Sequence, residues 1–258
     1  MINKQLIPFT LSVPDEVLDD LKQRLNNTRW PDEIPKNNWT YGADLAYLKD
    51  LCSYWATDYD WRSHEATINQ FEQYKTKVSG IDLHFIYEKG KGKNPLPLLL
   101  SHGWPGSTYE FHKIIPMLTD PEAYGGAADD SFTVIAPSLP GYTFSYQPGQ
   151  ERFSVEQIAD AFAKLMKEVL GFDGFVAQGG DWGGFLTSRL GFAYPDLLRA
   201  IHLNFLAVRR DPSIVDNPTP EAAVFLEQLN KFLKDETGYQ WIQGTKPQTL
   251  SYGLTDSP

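Results

Sequence analysis

Short apolar runs alternate with amphipathic segments through the middle of the chain. Residues 96–101, 132–136 and 172–177 are almost continuously apolar, which is typical of strands buried on both faces. Before the third run, Ser154 and Gln157 have the spacing of a capping box and predict a helix start. Strands that alternate with helices predict an α/β fold with a mostly parallel sheet and helices on both faces. Ligands of such sheets bind at the carboxyl ends of the strands.

The flanking regions have a different pattern. Residues 74–78 and 81–88 alternate apolar and polar positions around Ser79-Gly80, which predicts a hairpin at the start of the sheet. Short aromatic-rich helices are predicted upstream, near 13–25, 44–57 and 63–72. Downstream, Thr219-Pro220 predicts the start of an amphipathic helix that continues to Lys234.

Composition and charge exclude several classes of partner. A chain of 258 residues, 41% of them hydrophobic, suits one α/β domain with an extension. A net charge of -10 without a basic patch argues against nucleic acid and anionic membranes. The first residues show no signal peptide, and no apolar run could span a bilayer. The sequence therefore predicts a cytoplasmic protein without a membrane anchor, and it permits a homodimer.

Neither a metal nor a cofactor is expected. The only cysteine, Cys52, has helical spacing with Leu45 and Leu48, so a core thiol is a better interpretation than a nucleophile. Asp129 and Asp130 lie in a Gly/Ala-rich loop, where solvated carboxylates are expected. His64, His84 and His112 lack the paired spacing of metal ligands.

A carboxylate between small residues directly follows the third apolar run. Asp181 is the centre of the motif Gly179-Gly180-Asp181-Trp182-Gly183, which predicts a strand–turn–helix elbow that projects this side chain above the sheet edge. A serine here would attack acyl carbonyls, whereas a carboxylate attacks saturated carbon and forms an alkyl ester. The motif favours epoxides or alkyl halides as substrates. The alternative is a Gly-rich turn whose Asp only caps the next helix.

A second motif follows the first apolar run, where the loop reads His102-Gly103-Trp104-Pro105-Gly106-Ser107. In this kind of sheet, this loop and the residue after the nucleophile each donate one backbone N–H to an oxyanion hole. Trp104 and Trp182 are the expected donors. The residues expected to support the pocket or orient the loop are His102, Gly103, Pro105 and Gly180. The alternative is an ordinary turn with a structural histidine.

These motifs together resemble the epoxide hydrolases of the α/β-hydrolase fold, in the branch that includes the microsomal and juvenile-hormone enzymes. The matching segments are Thr28-Arg29-Trp30-Pro31, the His102 loop, residues 137–142, the Asp181 elbow, Gly238-Tyr239 and Gly244-Thr245-Lys246-Pro247. The resemblance implies an N-terminal arm leading into the first strands over residues 1–93. It further implies an α/β-hydrolase core over 94–207 and the beginning of a lid over 208–258.

By this resemblance, Asp181 is the nucleophile and Tyr239 is one of two lid tyrosines that protonate the epoxide oxygen. Water then opens the ester to a vicinal diol, with the oxyanion hole acting at that step. A small apolar epoxide and water are the implied ligands, in detoxification or aromatic hydrocarbon catabolism. No cofactor is implied.

The same family pattern places an acid and a histidine after the lid. Only His202 follows Asp181 among the histidines, and its place in the predicted strand over 198–205 favours a structural role. The sequence ends inside the predicted lid. We therefore expect a chain truncated at the C-terminus, without the closing strands, the second lid tyrosine or the acid–histidine half of the triad. Such a chain would form the ester without hydrolysing it.

Two alternatives stay open at this point. Haloalkane and haloacid dehalogenases also use an Asp elbow in this fold, and there the ring N–H of a residue such as Trp182 binds the halide. The N-terminal arm and Tyr239 favour the epoxide, because a departing halide needs no proton. The second alternative is a non-catalytic fragment that binds apolar ligands.

Overall fold

The computed structural model describes residues 6–36, 38–206 and 212–257. Within these ranges the chain forms strands, α-helices, short 3-10 turns and a π-helical turn over Leu165–Val169. The strands are β1 (Ile7–Pro8), β2 (Gln73–Val78), β3 (Ile81–Glu88), β4 (Leu96–Ser101), β5 (Phe132–Pro137), β6 (Phe175–Gly179) and β7 (Leu198–Leu203). The helices are α1 (Asp15–Asn26), α2 (Leu45–Thr57), α3 (Trp61–Ile68), α4 (Ile114–Thr119), α5 (Val155–Lys164), α6 (Trp182–Ala193), α7 (Pro212–Asp216), α8 (Pro220–Asp235), α9 (Gly238–Thr245) and α10 (Pro247–Asp256).

All the strands belong to one mixed sheet in the order β1-β2-β3-β5-β4-β6-β7. The pairings β1–β2, β2–β3 and β3–β5 are antiparallel, whereas β5–β4, β4–β6 and β6–β7 are parallel. The predicted hairpin is confirmed as β2 and β3. Its turn residues Ser79 and Gly80 have φ of 50° and 86°, and positive φ at both central residues suits a tight hairpin turn.

Helices cover both faces of the sheet, which explains the continuous apolar runs. Leu99 of β4 packs with Phe162 of α5 and Leu186 of α6. The next residue, Leu100, packs with Ile115 of α4. Because successive side chains of a strand point to opposite faces, both faces of β4 must be apolar. The α/β architecture predicted from these runs, with helices on both faces of the sheet, is confirmed.

The chain divides into two compact units. The first contains residues 1–12 and 61–207, with the whole sheet and helices α3 to α6; the second contains residues 13–60 and 208–258, with the other helices. The predicted N-terminal segment 1–93 is thus distributed over both units. The predicted boundary between residues 207 and 208 lies outside the described residues, as does that at Pro258.

Two features concern the class of protein. In the described parts of the chain, no helix combines the length and the apolar character needed to cross a membrane. The same residues contain no group of three or more His, Cys, Asp and Glu side chains that could hold a metal ion. Cys52 is half-buried in α2.

Candidate active site

Asp181 occupies the sharp turn between β6 and α6. The strand ends at Gly179 and the helix begins at Trp182, so the chain changes from strand to helix within two residues. Asp181 has φ 48° and ψ -125°, a conformation that L-residues rarely adopt. Such backbone strain costs on the order of 1–3 kcal/mol and persists only where the surrounding structure enforces it. The turn therefore has the strained geometry of a nucleophile elbow.

The carboxylate of Asp181 does not cap α6, although the residue occupies the N-cap position. Its side chain makes no capping hydrogen bond. Instead, Oδ1 accepts a 2.9 Å hydrogen bond from the backbone N–H of Trp104, on the loop after β4. None of the ion pairs between described residues involves Asp181, which is exposed. This geometry excludes the alternative in which Asp181 serves only as a helix cap.

An open pocket of about 500 Å³ lies in front of Asp181. This volume is in the range of pockets that hold small organic molecules. Its walls combine apolar side chains with a few polar ones. The side chains that line it besides Asp181 include Trp104, Pro105, Phe111 and Phe205 on the apolar side, and Glu110, Gln178 and Asn204 on the polar side.

His102 fixes the peptide group that carries the Trp104 N–H. The buried ring accepts a 3.0 Å hydrogen bond at Nε2 from the backbone N–H of Leu139, so Nδ1 carries the proton and donates to the Gly103 carbonyl at 2.9 Å. Burial lowers the pKa of His102 and favours this neutral form, although the Gly103 carbonyl acts in the opposite direction. The Gly103 carbonyl and the Trp104 N–H belong to one trans peptide and point in opposite directions. Holding the carbonyl therefore aims the N–H at Asp181.

The loop and the elbow approach each other too closely for a side chain at Gly103. A Cβ at this position would lie 2.5 Å from Cβ of Asp181 and 2.6 Å from its Oδ1. Ordinary contacts between carbon atoms are about 3.5–4.0 Å. Glycine at 103 is thus a requirement of the hydrogen bond between Trp104 and Asp181. Gly180 lines the same pocket, beside the side chain of Asn204.

Two further predicted site residues flank this arrangement. Trp182 is the first residue of α6, where backbone N–H groups have no partner within the helix. Its role as the second oxyanion donor stays a prediction. Its ring is half-exposed and packs against Phe185, with 5.6 Å between ring centroids. Pro105 lines the pocket, and the Trp104–Pro105 peptide is cis.

Comparison with known proteins identifies the family. Residues 6–111 match the family described as epoxide hydrolase N terminus, and residues 97–240 match the α/β hydrolase fold. A solved structure of an enantioselective, directed-evolution mutant of the Aspergillus niger epoxide hydrolase superposes with a TM-score of 0.85 at 31% identity. The match covers 100% of this chain and 68% of that one. The chain belongs to the epoxide hydrolases of the α/β-hydrolase fold.

Two curated relatives agree with this family. A protein of Stigmatella aurantiaca (strain DW4/3-1), named provisionally as an epoxide hydrolase, is 47% identical over 253 residues, which are 98% of this chain and 57% of that protein. Epoxide hydrolase 1 of Oryctolagus cuniculus is 35% identical over 275 residues, or 99% of this chain and 60% of the relative. The chain thus spans less than two thirds of the length of these relatives. The resemblance predicted from the motifs is confirmed.

The epoxide hydrolase pattern also singled out Tyr239, whereas His202 was expected to be structural. Tyr239 belongs to α9 of the second unit, where its exposed phenol oxygen accepts a 2.9 Å hydrogen bond from the side chain of Gln240. Its role as a proton donor stays a prediction. His202 is exposed on β7, opposite Gln178, and does not belong to the residues that line the pocket.

Four polar residues of the pocket were missed by sequence reasoning. Ser101 is the last residue of β4, Gln178 is the penultimate residue of β6 and Asn204 directly follows β7, so all three lie where parallel strands end. The rule that ligands bind at this edge could have found them. Glu110 lies in the 3-10 turn Thr108–Phe111 and carries no comparable signal. Burial and the charge of Asp181 raise the pKa of Glu110, whereas the backbone N–H groups of Ser107 and Gly103 act to lower it.

Proposed function

We propose that this chain opens epoxides by forming a covalent ester at Asp181. The observation that carries the proposal is the carboxylate itself, held at 2.9 Å by the Trp104 N–H in front of a pocket rather than on α6. Oδ2 attacks an epoxide carbon and forms a new C–O bond, while the ring C–O bond breaks and its electron pair moves to the epoxide oxygen. That oxygen takes a proton, for which Tyr239 is the proposed donor.

The Trp104 N–H has a second use in this scheme. After attack by Oδ2, Oδ1 becomes the carbonyl oxygen of the ester, and it already accepts the Trp104 hydrogen bond. Addition of water to Cγ then places negative charge on Oδ1, where this N–H and that of Trp182 would stabilise it. Collapse of this intermediate releases a vicinal diol and restores the carboxylate.

Hydrolysis of the ester also needs a base that activates water. None of the described residues lining the pocket is a histidine, and both ring nitrogens of His102 are engaged with the backbone. We therefore propose that the ester forms faster on this chain than it is hydrolysed, so that it accumulates.

The proposed substrate is a small apolar epoxide. The rings of Trp104, Phe111 and Phe205 line the pocket beside Asp181 and suit the carbon skeleton of such a molecule, with water as the second reactant. A cytoplasmic location and a homodimer stay predictions, which cell fractionation and analytical ultracentrifugation would test.

The proposal is tested by labelling with styrene oxide followed by peptide mass spectrometry. We expect the Asp181 peptide to gain the mass of one epoxide molecule, and we expect Asp181→Asn to abolish this gain. Asp173→Asn is the control, because the Asp173 side chain is 98% exposed on the same unit and does not line the pocket. Its replacement should leave the adduct on Asp181 unchanged. An adduct that survives in Asp181→Asn contradicts the proposal.

The dehalogenase alternative is tested with the same protein. A 1-haloalkane of similar size would form the same ester and release halide, without any need for a proton donor. We expect halide release to be much slower than ester formation from styrene oxide, and the reverse order would favour the dehalogenase.

A further inference from the structure

The exposed side chain of Glu110 packs against the loop that presents the Trp104 N–H. Its Oε1 is only 1.4 Å from the position that a Cβ on Gly106 would occupy. The backbone N–H groups of Gly103 and Ser107 act to lower the pKa of this carboxyl group, so both lie on the side that the carboxylate faces. Because these residues lie on either side of Trp104, the carboxylate packs against the middle of this short segment at Gly106 and is close to both of its ends.

The turn that carries Glu110 is itself well anchored. It spans Thr108–Phe111, and both terminal residues are buried. Ser107 caps the turn, with its Oγ accepting a 3.2 Å hydrogen bond from the N–H of Tyr109. A carboxylate on an anchored turn can hold a flexible loop in place.

The Gly103–Trp104 peptide therefore has a contact on either side. Its carbonyl accepts a hydrogen bond from Nδ1 of His102, and the chain just after it packs against the Glu110 carboxylate at Gly106. The hydrogen bond from His102 fixes the orientation of the peptide, and the Glu110 side chain limits movement of the loop that carries it. Both contacts keep the Trp104 N–H directed at Asp181.

We propose that Glu110 is a positioning residue for ester formation, whose carboxylate holds the Gly103–Ser107 loop so that the Trp104 N–H stays on Asp181. The inference rests on the proposed function, because ester formation at Asp181 is the step that it affects. Glycine is needed at position 106 because a side chain there would occupy the space of the Glu110 carboxylate.

The charges of the two carboxylates add a second effect. Glu110 and Asp181 line the same pocket, and burial together with the charge of Asp181 raises the pKa of Glu110 from its ordinary value of 4.5. Ester formation removes the charge of Asp181 and therefore favours the ionised form of Glu110. By linkage, ionised Glu110 favours the ester over the free carboxylate at equilibrium. Because the attacking carboxylate already loses part of its charge in the transition state, the rate should also rise with pH over the range in which Glu110 loses its proton.

Other titratable groups near this turn are engaged with one another. Tyr109 and His112 stack with 4.3 Å between ring centroids, and the Tyr109 hydroxyl lies 3.0 Å from Nδ1 of His64 on α3. Asp181 is the charged group that acts on Glu110 from another element. The pH profile of a Glu110 variant therefore reports on this pair of carboxylates.

The test is a double-mutant cycle on the single-turnover rate of Asp181 ester formation at saturating styrene oxide. The three atoms nearest to the Cβ of a Gly106→Ala variant all belong to the Glu110 side chain and are absent in Glu110→Ala. Displacement of a positioning group by about 1 Å can lower a rate ~100-fold. We expect each single variant to lower the rate between about tenfold and ~100-fold, and the double variant to be no slower than Glu110→Ala.

Glu110→Gln supplies the readout that a purely structural role would not change. It keeps the size of the side chain but removes its charge, so we expect a slower rate and loss of the part of the rise with pH that comes from Glu110, while the requirement for an ionised Asp181 remains. Glu122→Gln, an exposed glutamate on another 3-10 turn, is the matched control and should keep the wild-type profile.

The outcomes separate the inference from the proposed function. Wild-type rate and pH profile in Glu110→Gln, or strictly additive effects of Gly106→Ala and Glu110→Ala, would overturn the role of Glu110 while leaving the nucleophile intact. A wild-type chain that takes up no epoxide at Asp181 would overturn the proposed function, and the inference with it.

Discussion

Substitution of Gly103 by alanine should impair ester formation with little change to the rest of the fold. The added Cβ would lie 2.5 Å from Cβ, 2.6 Å from Oδ1 and 2.9 Å from Cγ of Asp181. Normal carbon–carbon contacts of about 3.5–4.0 Å require the loop and the elbow to separate by about 1 Å. The hydrogen bond from Trp104 to Asp181, now 2.9 Å, would then exceed the limit of about 3.5 Å.

Two measurements follow from this geometry. A shift of about 1 Å in a reacting group lowers rates ~100-fold, so the single-turnover rate of styrene oxide labelling should fall by about that factor. Crowding of this kind destabilises by about 1–3 kcal/mol, measurable by urea unfolding. Gly253→Ala is the matched control, since its Cβ would meet no atom within 4 Å. Labelling of Gly103→Ala at the wild-type rate would refute this account of the loop.

Four further predictions concern stability and catalysis. His102→Phe removes the donor to the Gly103 carbonyl and leaves the buried N–H of Leu139 unpaired. The free energy of unfolding in urea should therefore fall by about 1–3 kcal/mol, and labelling of Asp181 should slow. Labelling at the wild-type rate would contradict the role of His102. Ser154→Ala removes a capping box and should cost about 0.5–2 kcal/mol in the same assay, with labelling unaffected. Burial, aided by the charge of Lys75, lowers the pKa of His84 to about 3. His84 therefore binds a proton in the unfolded chain at pH values where it stays neutral in the folded chain. The free energy of unfolding is not reduced by this group above pH ~6.5, and it falls by about 1.4 kcal/mol per pH unit from pH ~6.5 towards pH ~3. His84→Gln should flatten the pH dependence of the urea midpoint in that range, and an equal slope in both proteins would be the contrary result. Tyr239→Phe should slow labelling between about 10²- and 10⁴-fold if its phenol protonates the epoxide oxygen, and an unchanged rate would remove it from the mechanism.

Local sequence patterns predicted the parts of the fold that depend on local physics. The capping box at Ser154 and Gln157 is present in full, and the helix predicted from Thr219 is confirmed as α8. The Gly-Gly-Asp-Trp-Gly motif gave the position of the sharp turn, because only small neighbours permit such a backbone. These signals are contained within a few residues of chain.

Features that depend on contacts between distant residues were not predictable in this way. The third apolar run suggested a strand over residues 172–177, but β6 begins at Phe175. After α5 the chain continues in a π-helical turn, Leu165–Val169. Gly171, at φ 75°, follows this turn, and the N–H of Phe172 donates a hydrogen bond to the carbonyl of Met166. Glu110 escaped notice for a related reason, since its place beside Gly106 arises only when the turn folds back onto the loop.

The central claim is that the Asp181 carboxylate attacks epoxide carbon. Fragment-ion mass spectrometry of the protein after one turnover with styrene oxide tests it most directly. We predict a single adduct located on residue 181, present in the wild-type chain and absent from Asp181→Asn. An adduct located on another side chain, or one that persists when Asp181 is replaced, would contradict the claim.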